Sequence, residues 1–239
     1  MDRIKIGFLG SSPTSSPHLA SFRPCVPKDV EFTFEQETDA GESLWDMQGK
    51  TDGLIRQANE LIARHGWDGL VISGGPKEVL NPDMVVRLAV EVKVPVATAL
   101  RSSALALKAL GAARILLMTP VDDKLKDLYR DYLARFGLTA VYPPQTLGKH
   151  TDALKLTAPE VAQMTRQTFA AHAGLDAIYF QGAVLDPMDC LEQMERELNL
   201  PVIASNPAMN WYLLSKLGVK HPLAGVGRLL STWPALPAG

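Results

Sequence analysis

Ser11, Ser12, Ser73, Thr119, Gln181 and Asn206 can all form hydrogen bonds without carrying charge, and each stands at or near the end of a short apolar run. Small residues with little or no side chain accompany them at Gly74, Gly75, Gly182 and Ala183. Hydroxyls, amides and accessible peptide N–H groups are neutral donors, and such a set suits a carboxylate or a developing oxyanion. Proton transfer needs a group that titrates near neutrality. His150 is that candidate, and the adjacent Lys149 would neutralise a carboxylate. Lys77 and Arg101 are weaker candidates for a second carboxylate, Arg101 as a bidentate partner, since side chains of these types are more often solvated surface charges. Cys25 and Cys190 cannot by themselves make a disulfide framework or a zinc site. Free cysteine usually packs as a small hydrophobe, so neither is expected to be catalytic; Cys190 falls in a segment read as helix interior.

Competing chemistries lack their residues. The run Gly7-Phe8-Leu9-Gly10-Ser11-Ser12 has neither the lysine of a phosphate loop nor the third glycine of a dinucleotide turn. No His/Asp cluster has metal-ligand spacing, so no metal is expected. The 24 basic and 26 acidic side chains leave a formal charge of -2 with no clustered basic stripe, which argues against a nucleic-acid partner. No apolar run approaches the roughly 20 residues that span a bilayer. The opening Met1-Asp2-Arg3-Ile4-Lys5 leads straight into a strand-like segment without signal-peptide architecture. The expectation is a cytoplasmic protein whose partner is a small carboxylate, with no membrane role; a homo-oligomer is compatible with the chain.

The elements that must position these residues occur twice. Ile4–Leu9 and Arg114–Met118 are short apolar, β-branched runs. Gly66–Gly75 is echoed by Gly174–Ala183, and Glu91–Ala97 by Glu197–Ile203. Three landmark pairs, Gly74/Gly182, Pro95/Pro201 and Gly111/Gly218, keep nearly one spacing, at 108, 106 and 107 residues. Any α/β protein alternates strands and helices, but alternation alone does not fix that spacing.

Each half reads as strand, helix, strand, helix, strand, helix. The strands are apolar on both faces, as buried parallel strands are. Leu54, Ala58, Leu61 and Ile62 share one helix face, as do Val161, Met164, Thr165 and Phe169 after the N-cap Thr157. Gly66, Gly111, Gly137 and Gly218 supply left-handed helix stops. The fold class is therefore α/β: two pseudo-symmetric, doubly wound, flavodoxin-like halves, 1–112 plus 218–239 and 113–217, with a cleft between them. The tail from Pro222 is expected to pack back on the first half, and 36–51 to form a lid carrying Trp45 and Met47. In open parallel sheets ligands sit beyond the carboxyl ends of the strands, where all the neutral donors above fall. Taken singly, each marks a tight turn; at matching positions of both repeats they mark a site.

The chain resembles the aspartate/glutamate racemase superfamily, in its arylmalonate decarboxylase and maleate cis-trans isomerase branch. The resemblance is carried by Ile6–Ser12, by Leu107–Ile115, by Thr119 with Asp122-Asp123, and by Leu200–Ala208 with Trp211. It implies a cleft that needs neither cofactor nor metal, in which amides and hydroxyls grip a substrate carboxylate while an enolate-like intermediate forms. The superfamily's catalytic cysteines, after the second strand of one or both halves, correspond to Gly74 or Gly75 and to Gly182. The usual tyrosine after the Thr119 segment is replaced by Pro120-Val121, and an amide-bearing position in the opening loop by Pro13. Thiol-based proton transfer is therefore not carried over. The leading expectation is a decarboxylase or isomerase type of enzyme acting on a small carboxylate or dicarboxylate. The alternatives are a non-catalytic binder of small acids, or a lyase or hydrolase with changed chemistry in the same cleft.

Overall fold

The apolar runs become parallel strands. The structure, a computed structural model, describes residues 3–11, 19, 21–41, 43–143, 153, 155–182, 185 and 187–237. Strands β1 (Lys5–Gly10), β2 (Glu31–Gln36), β3 (Gly69–Ile72) and β4 (Val96–Thr98) form one sheet in the order β2-β1-β3-β4. Strands β5 (Arg114–Met118), β6 (Thr139–Val141), β7 (Ala177–Phe180) and β8 (Val202–Ala204) repeat that order as β6-β5-β7-β8. All pairs are parallel, with Ile6 opposite Gly69 in the first sheet and Ile115 opposite Ala177 in the second. Chain order reverses between β1 and β3 and again between β5 and β7, which creates the switch-point crevice at the carboxyl ends.

Each sheet has one strand more than the sequence pattern supplies. β2 and β6 are edge strands. β2 mixes exposed and half-buried positions, and β6 is three residues long, so neither shows the buried apolar run of the inner strands. β2 is secured by aromatic packing instead. Phe34 stacks on Phe8 with centroids 5.8 Å apart, and Phe32 stacks on Phe22 at 5.4 Å.

Helix α1 (Thr51–His65) buries Leu54, Ala58 and Leu61 on its sheet-facing side and stops on Gly66 at φ 66°. It is followed by α2 (Gly75–Leu80), α3 (Met84–Glu91) and α4 (Ala99–Ala109). In the second half come α5 (Asp123–Ala134), α6 (Ala158–Ala170), α7 (Leu191–Leu198) and α8 (Ser205–Lys216), then α9 (Arg228–Thr232). Thr157 and Glu160 form a reciprocal capping box at the start of α6. Asp122 caps α5 by accepting from the Leu125 amide at 2.9 Å.

The helices after β4 and β8, α4 and α8, pack against each other along the seam of the halves. α8 is buried over most of its length, including Trp211, Leu213 and Leu214. It sits close over Gly69, where a Cβ would come within 2.9 Å of Leu213 Cδ1. Leu229, Leu230 and Trp233 of the tail join the apolar cluster that includes Ile6, Phe8 and Val71 of the first half. The tail's described polar contacts are with α7 and α8 of the second. Trp211 Nε1 donates to the Pro234 carbonyl at 3.0 Å, and Trp233 Nε1 to Ser215 Oγ at 3.1 Å. The Gly225 and Arg228 amides donate to the Glu192 and Glu195 carboxylates. Glu195 is buried, so its carboxyl lies above its ordinary range, and the Val202 and Arg228 amides offset part of that cost. Among the described residues no helix is long and apolar enough to cross a membrane.

Candidate active site

The carboxyl ends of the two sheets enclose a cavity of about 160 Å³. From the first half Ser11, Ser73, Gly74 and Gly75 line it, and from the second Gln181 and Gly182. Gly74 and Gly182, the equivalent residues of the repeat, both adopt left-handed backbone, at φ 103° and 84°. Glycine takes that conformation without strain, and it stands two residues beyond the end of both β3 and β7. The amides of Gly74, Gly75 and Gly182 donate to no protein acceptor among the described residues. They remain available to a ligand.

Gln181 crosses from the second half towards the first. The Thr119 hydroxyl donates to its Oε1 at 2.7 Å, which leaves Nε2 turned towards Gly75. A Cβ on Gly75 would overlap that Nε2 and would stand 3.2 Å from Leu100 Cγ. The bare backbone at 75 is therefore what admits the Gln181 amide. Thr119, expected in the cleft itself, is buried behind Gln181 and positions it, because its hydroxyl is consumed by that bond. Asn206 does line the cavity, and its Nδ2 donates to Ser21 Oγ at 2.7 Å. Ser205, beside it, shares a 3.0 Å bond with the Tyr179 phenol.

The remaining wall is apolar, with Phe8, Phe34, Leu44, Met47, Val121 and Met209. Leu44 and Met47 belong to a 3-10 turn, Leu44–Met47, within the segment expected to be a lid. That turn is tied to both halves. Trp45 Nε1 donates to Asp122 Oδ2 at 3.0 Å, and Asn81 Nδ2 donates to the Met47 carbonyl at 2.8 Å. Met47 thus meets a ligand, whereas Trp45 clasps the second half.

No titratable side chain lines the cavity among the described residues. Directly behind the wall, however, is a buried ion pair. Lys77, only 4% exposed, pairs with Glu37 at the end of β2. Burial raises the Glu37 carboxyl above its ordinary range, and Lys77 partly opposes that. Lys77, a candidate from sequence for a substrate carboxylate, thus meets a carboxylate of the protein itself; Glu37 has no signal in the sequence pattern, because it follows an edge strand with no buried apolar run. Arg101 is not brought to the cavity. Its amide donates to Glu78 Oε2 at 3.0 Å on α2. Neither cysteine lines the cleft: Cys25 is buried, with Sγ 3.6 Å from the Ser21 carbonyl, and Cys190 ends a 3-10 turn, Met188–Cys190, ahead of α7 rather than lying inside a helix. Ser12, Lys149, His150 and Ala183 lie outside the described residues.

A family model described as arylmalonate decarboxylase matches residues 56–230. The chain belongs to the arylmalonate decarboxylase family. This is the branch that Leu107–Ile115 and Leu200–Ala208 resemble. Among solved structures, arylmalonate decarboxylase is similar over 95% of this chain and 99% of its own, with a TM-score of 0.79 at 20% identity. The maleate isomerase from Pseudomonas putida S16 follows the same fold over 96% of this chain and 99% of its own, with a TM-score of 0.73 at 20% identity. A serine mutant of the Nocardia farcinica maleate cis-trans isomerase, solved with a covalently bound succinylcysteine intermediate, has a TM-score of 0.71 at 21% identity, over 96% of this chain and 98% of its own. At these identities the structural likeness establishes the fold. No curated protein sequence matches.

Proposed function

We propose that this member of the family is an enzyme that acts, without a cofactor, on a small carboxylate or dicarboxylate bearing an apolar group. The reaction passes through an enolate-like intermediate, with decarboxylation as the leading case. The division of the cavity into a donor side and an apolar side carries this reading. When a carboxyl group leaves as CO₂, its bonding pair delocalises onto the carboxylate that stays, and both oxygens of the resulting enediolate need donors. Gln181 Nε2, Ser11, Ser73 and the Gly74, Gly75 and Gly182 amides are such donors, fixed before substrate arrives. The apolar wall offers the departing carboxylate no hydrogen bonds in exchange for lost water, which favours its release as neutral CO₂.

His150, with Lys149, is the sequence-derived candidate for handling the proton. Where His150 supplies the proton, His150→Asn lowers kcat by about 10²-fold, read from initial rates of the variant and the unaltered protein; a variant with full activity assigns the proton to another group. A thiol plays no part, so replacing both Cys25 and Cys190 with alanine leaves turnover within a few-fold of the original. A folded double variant without activity would refute that point. One observation favours the non-catalytic alternative: the described lining holds no titratable side chain. A thermal-shift screen of mono- and dicarboxylates, followed by product analysis of the hits, separates the two readings. Stabilisation with product supports the enzyme, and stabilisation with no product from any hit supports the binder.

A further inference from the structure

We propose that Lys77 is the proton reservoir of the cleft and acts through the hydroxyl of Ser11; the proposal rests on the enolate reading above. An ammonium has three donors and no acceptor, and the three of Lys77 are all placed. They go to the Glu37 carboxylate, to the Ser73 carbonyl at 2.6 Å and to Ser11 Oγ at 2.9 Å. Because the Ser11 oxygen accepts from a cation, its own proton turns away from Lys77. Ser11 lines the cavity, and its hydroxyl donates to no protein acceptor among the described residues. An occupant of the cleft stands within reach of that proton.

The second observation is the position of the ammonium. A Cβ built on Gly74 would stand 3.1 Å from Lys77 Nζ. The lysine head thus fills the space below the glycine where the superfamily pattern would root a thiol. A serine hydroxyl alone is a poor acid, whereas one bonded to an ammonium can pass on a proton and be refilled in the same step. In the relay, the electron pair left on the α-carbon forms a C–H bond with the Ser11 proton. Ser11 Oγ takes a proton from Lys77 Nζ, and solvent water later returns one to the neutral amine. One proton enters and one leaves, and nothing is oxidised or reduced. Lys77 is a positioning residue in this scheme, since Ser11 alone meets substrate.

The charged groups around Lys77 fix the expected pH behaviour. Glu37 faces it directly, and Asp39 and Lys50, paired with each other, line the small cavity behind. Glu78, next on the same helix, is bonded instead to Tyr132 and to the Leu100 and Arg101 amides. The relay needs the ammonium, so activity declines on the alkaline side, and removing the counter-ion disfavours the charged form in a buried place.

The test uses phenylmalonate and CO₂ release, with melting temperatures for every variant. Lys77→Arg keeps the cation but cannot give up a proton; it is expected to lower kcat by about 10²-fold or more while KM moves less than about three-fold. Glu37→Gln is expected to shift the alkaline limb of the kcat/KM profile to lower pH, which loss of a purely structural contact would not do. Should Lys77→Arg destabilise the fold, the double variant Lys77→Met, Glu37→Gln removes both charges together, and its kcat must fall equally. The relay is overturned if Lys77→Arg or the folded double variant retains kcat within three-fold, or if Glu37→Gln leaves the limb in place. Failure of the enzyme reading looks different, because the unaltered chain then releases no CO₂ from any acid that stabilises it, and the relay falls with it.

Discussion

Gly75→Ala is expected to lower kcat/KM by about 10²–10³-fold, the usual cost of losing one oxyanion donor. The added methyl would occupy the place of Gln181 Nε2 and press on Leu100. The Gln181 side chain is buried and its Oε1 is held by Thr119, so it can make room only by giving up that position. The amide is therefore displaced from the cleft and the donor is lost. Stability should change much less, by about 1–3 kcal/mol for overpacking, so the two measurements separate site damage from unfolding. Gly53→Ala is the control. A Cβ at 53 meets nothing within 4 Å in helix α1, and the substitution should stabilise the fold by about 0.5–1 kcal/mol and leave turnover unchanged. Gly75→Ala with full activity would show that the Gln181 amide takes no part.

Glu78→Ala should be the most damaging single substitution for the fold, at about 3 kcal/mol or more by denaturant titration. Glu78 is 1% exposed, and its carboxylate accepts from the Leu100 amide, from the Arg101 amide at 3.0 Å and from the Tyr132 hydroxyl at 2.8 Å. It ties α2 to the start of α4 and, through Tyr132, to α5 of the second half. Alanine leaves three donors without their acceptor, at about 1–3 kcal/mol for each that stays buried, less the relief of no longer burying a carboxyl. Burial also raises the Glu78 carboxyl above its ordinary value of 4.5, against the lowering effect of Tyr132 and the two amides. Between the ordinary value and the raised one, the folded state therefore holds a proton that the unfolded chain has released. Stability falls as pH rises from that ordinary value through the raised one. Glu37 and Glu195 are raised by burial too and act in the same direction. Glu160, Asp176 and Glu197 are lowered by their hydrogen bonds, so their contribution is lost only below the ordinary carboxylate range. The melting temperature should thus fall as pH rises above the ordinary carboxylate range, and the fall should be smaller in Glu78→Ala. A melting temperature that rises steadily with pH would contradict this account.

Elements whose signals are local can be read along the chain. Buried strands need unbroken apolar runs, and left-handed turns need glycine. Those two requirements alone made the repeat visible at Gly74 and Gly182, along with the helix stops at Gly66, Gly111, Gly137 and Gly218. Strand ends in a parallel sheet then set the place of the cleft, so Ser11, Ser73, Gly75, Gln181 and Asn206 were legible as its lining before any coordinates. The family followed from the same segments. Which polar groups face the cavity and which stand behind its wall depends on contacts between distant segments. Thr119 turned out to hold Gln181, and Lys77 proved to be buried against a glutamate 40 residues away. The edge strands were hidden for a related reason: β2 is defined by packing against Phe8 and Phe22 rather than by its own pattern. Trp45 and Asp122, 77 residues apart, join the halves through one hydrogen bond. Burial, ionisation and hydrogen-bond partnership are properties of an environment assembled from distant segments. Backbone periodicity is written along the chain, and a residue's dielectric surroundings and partners exist only once the chain has folded around it.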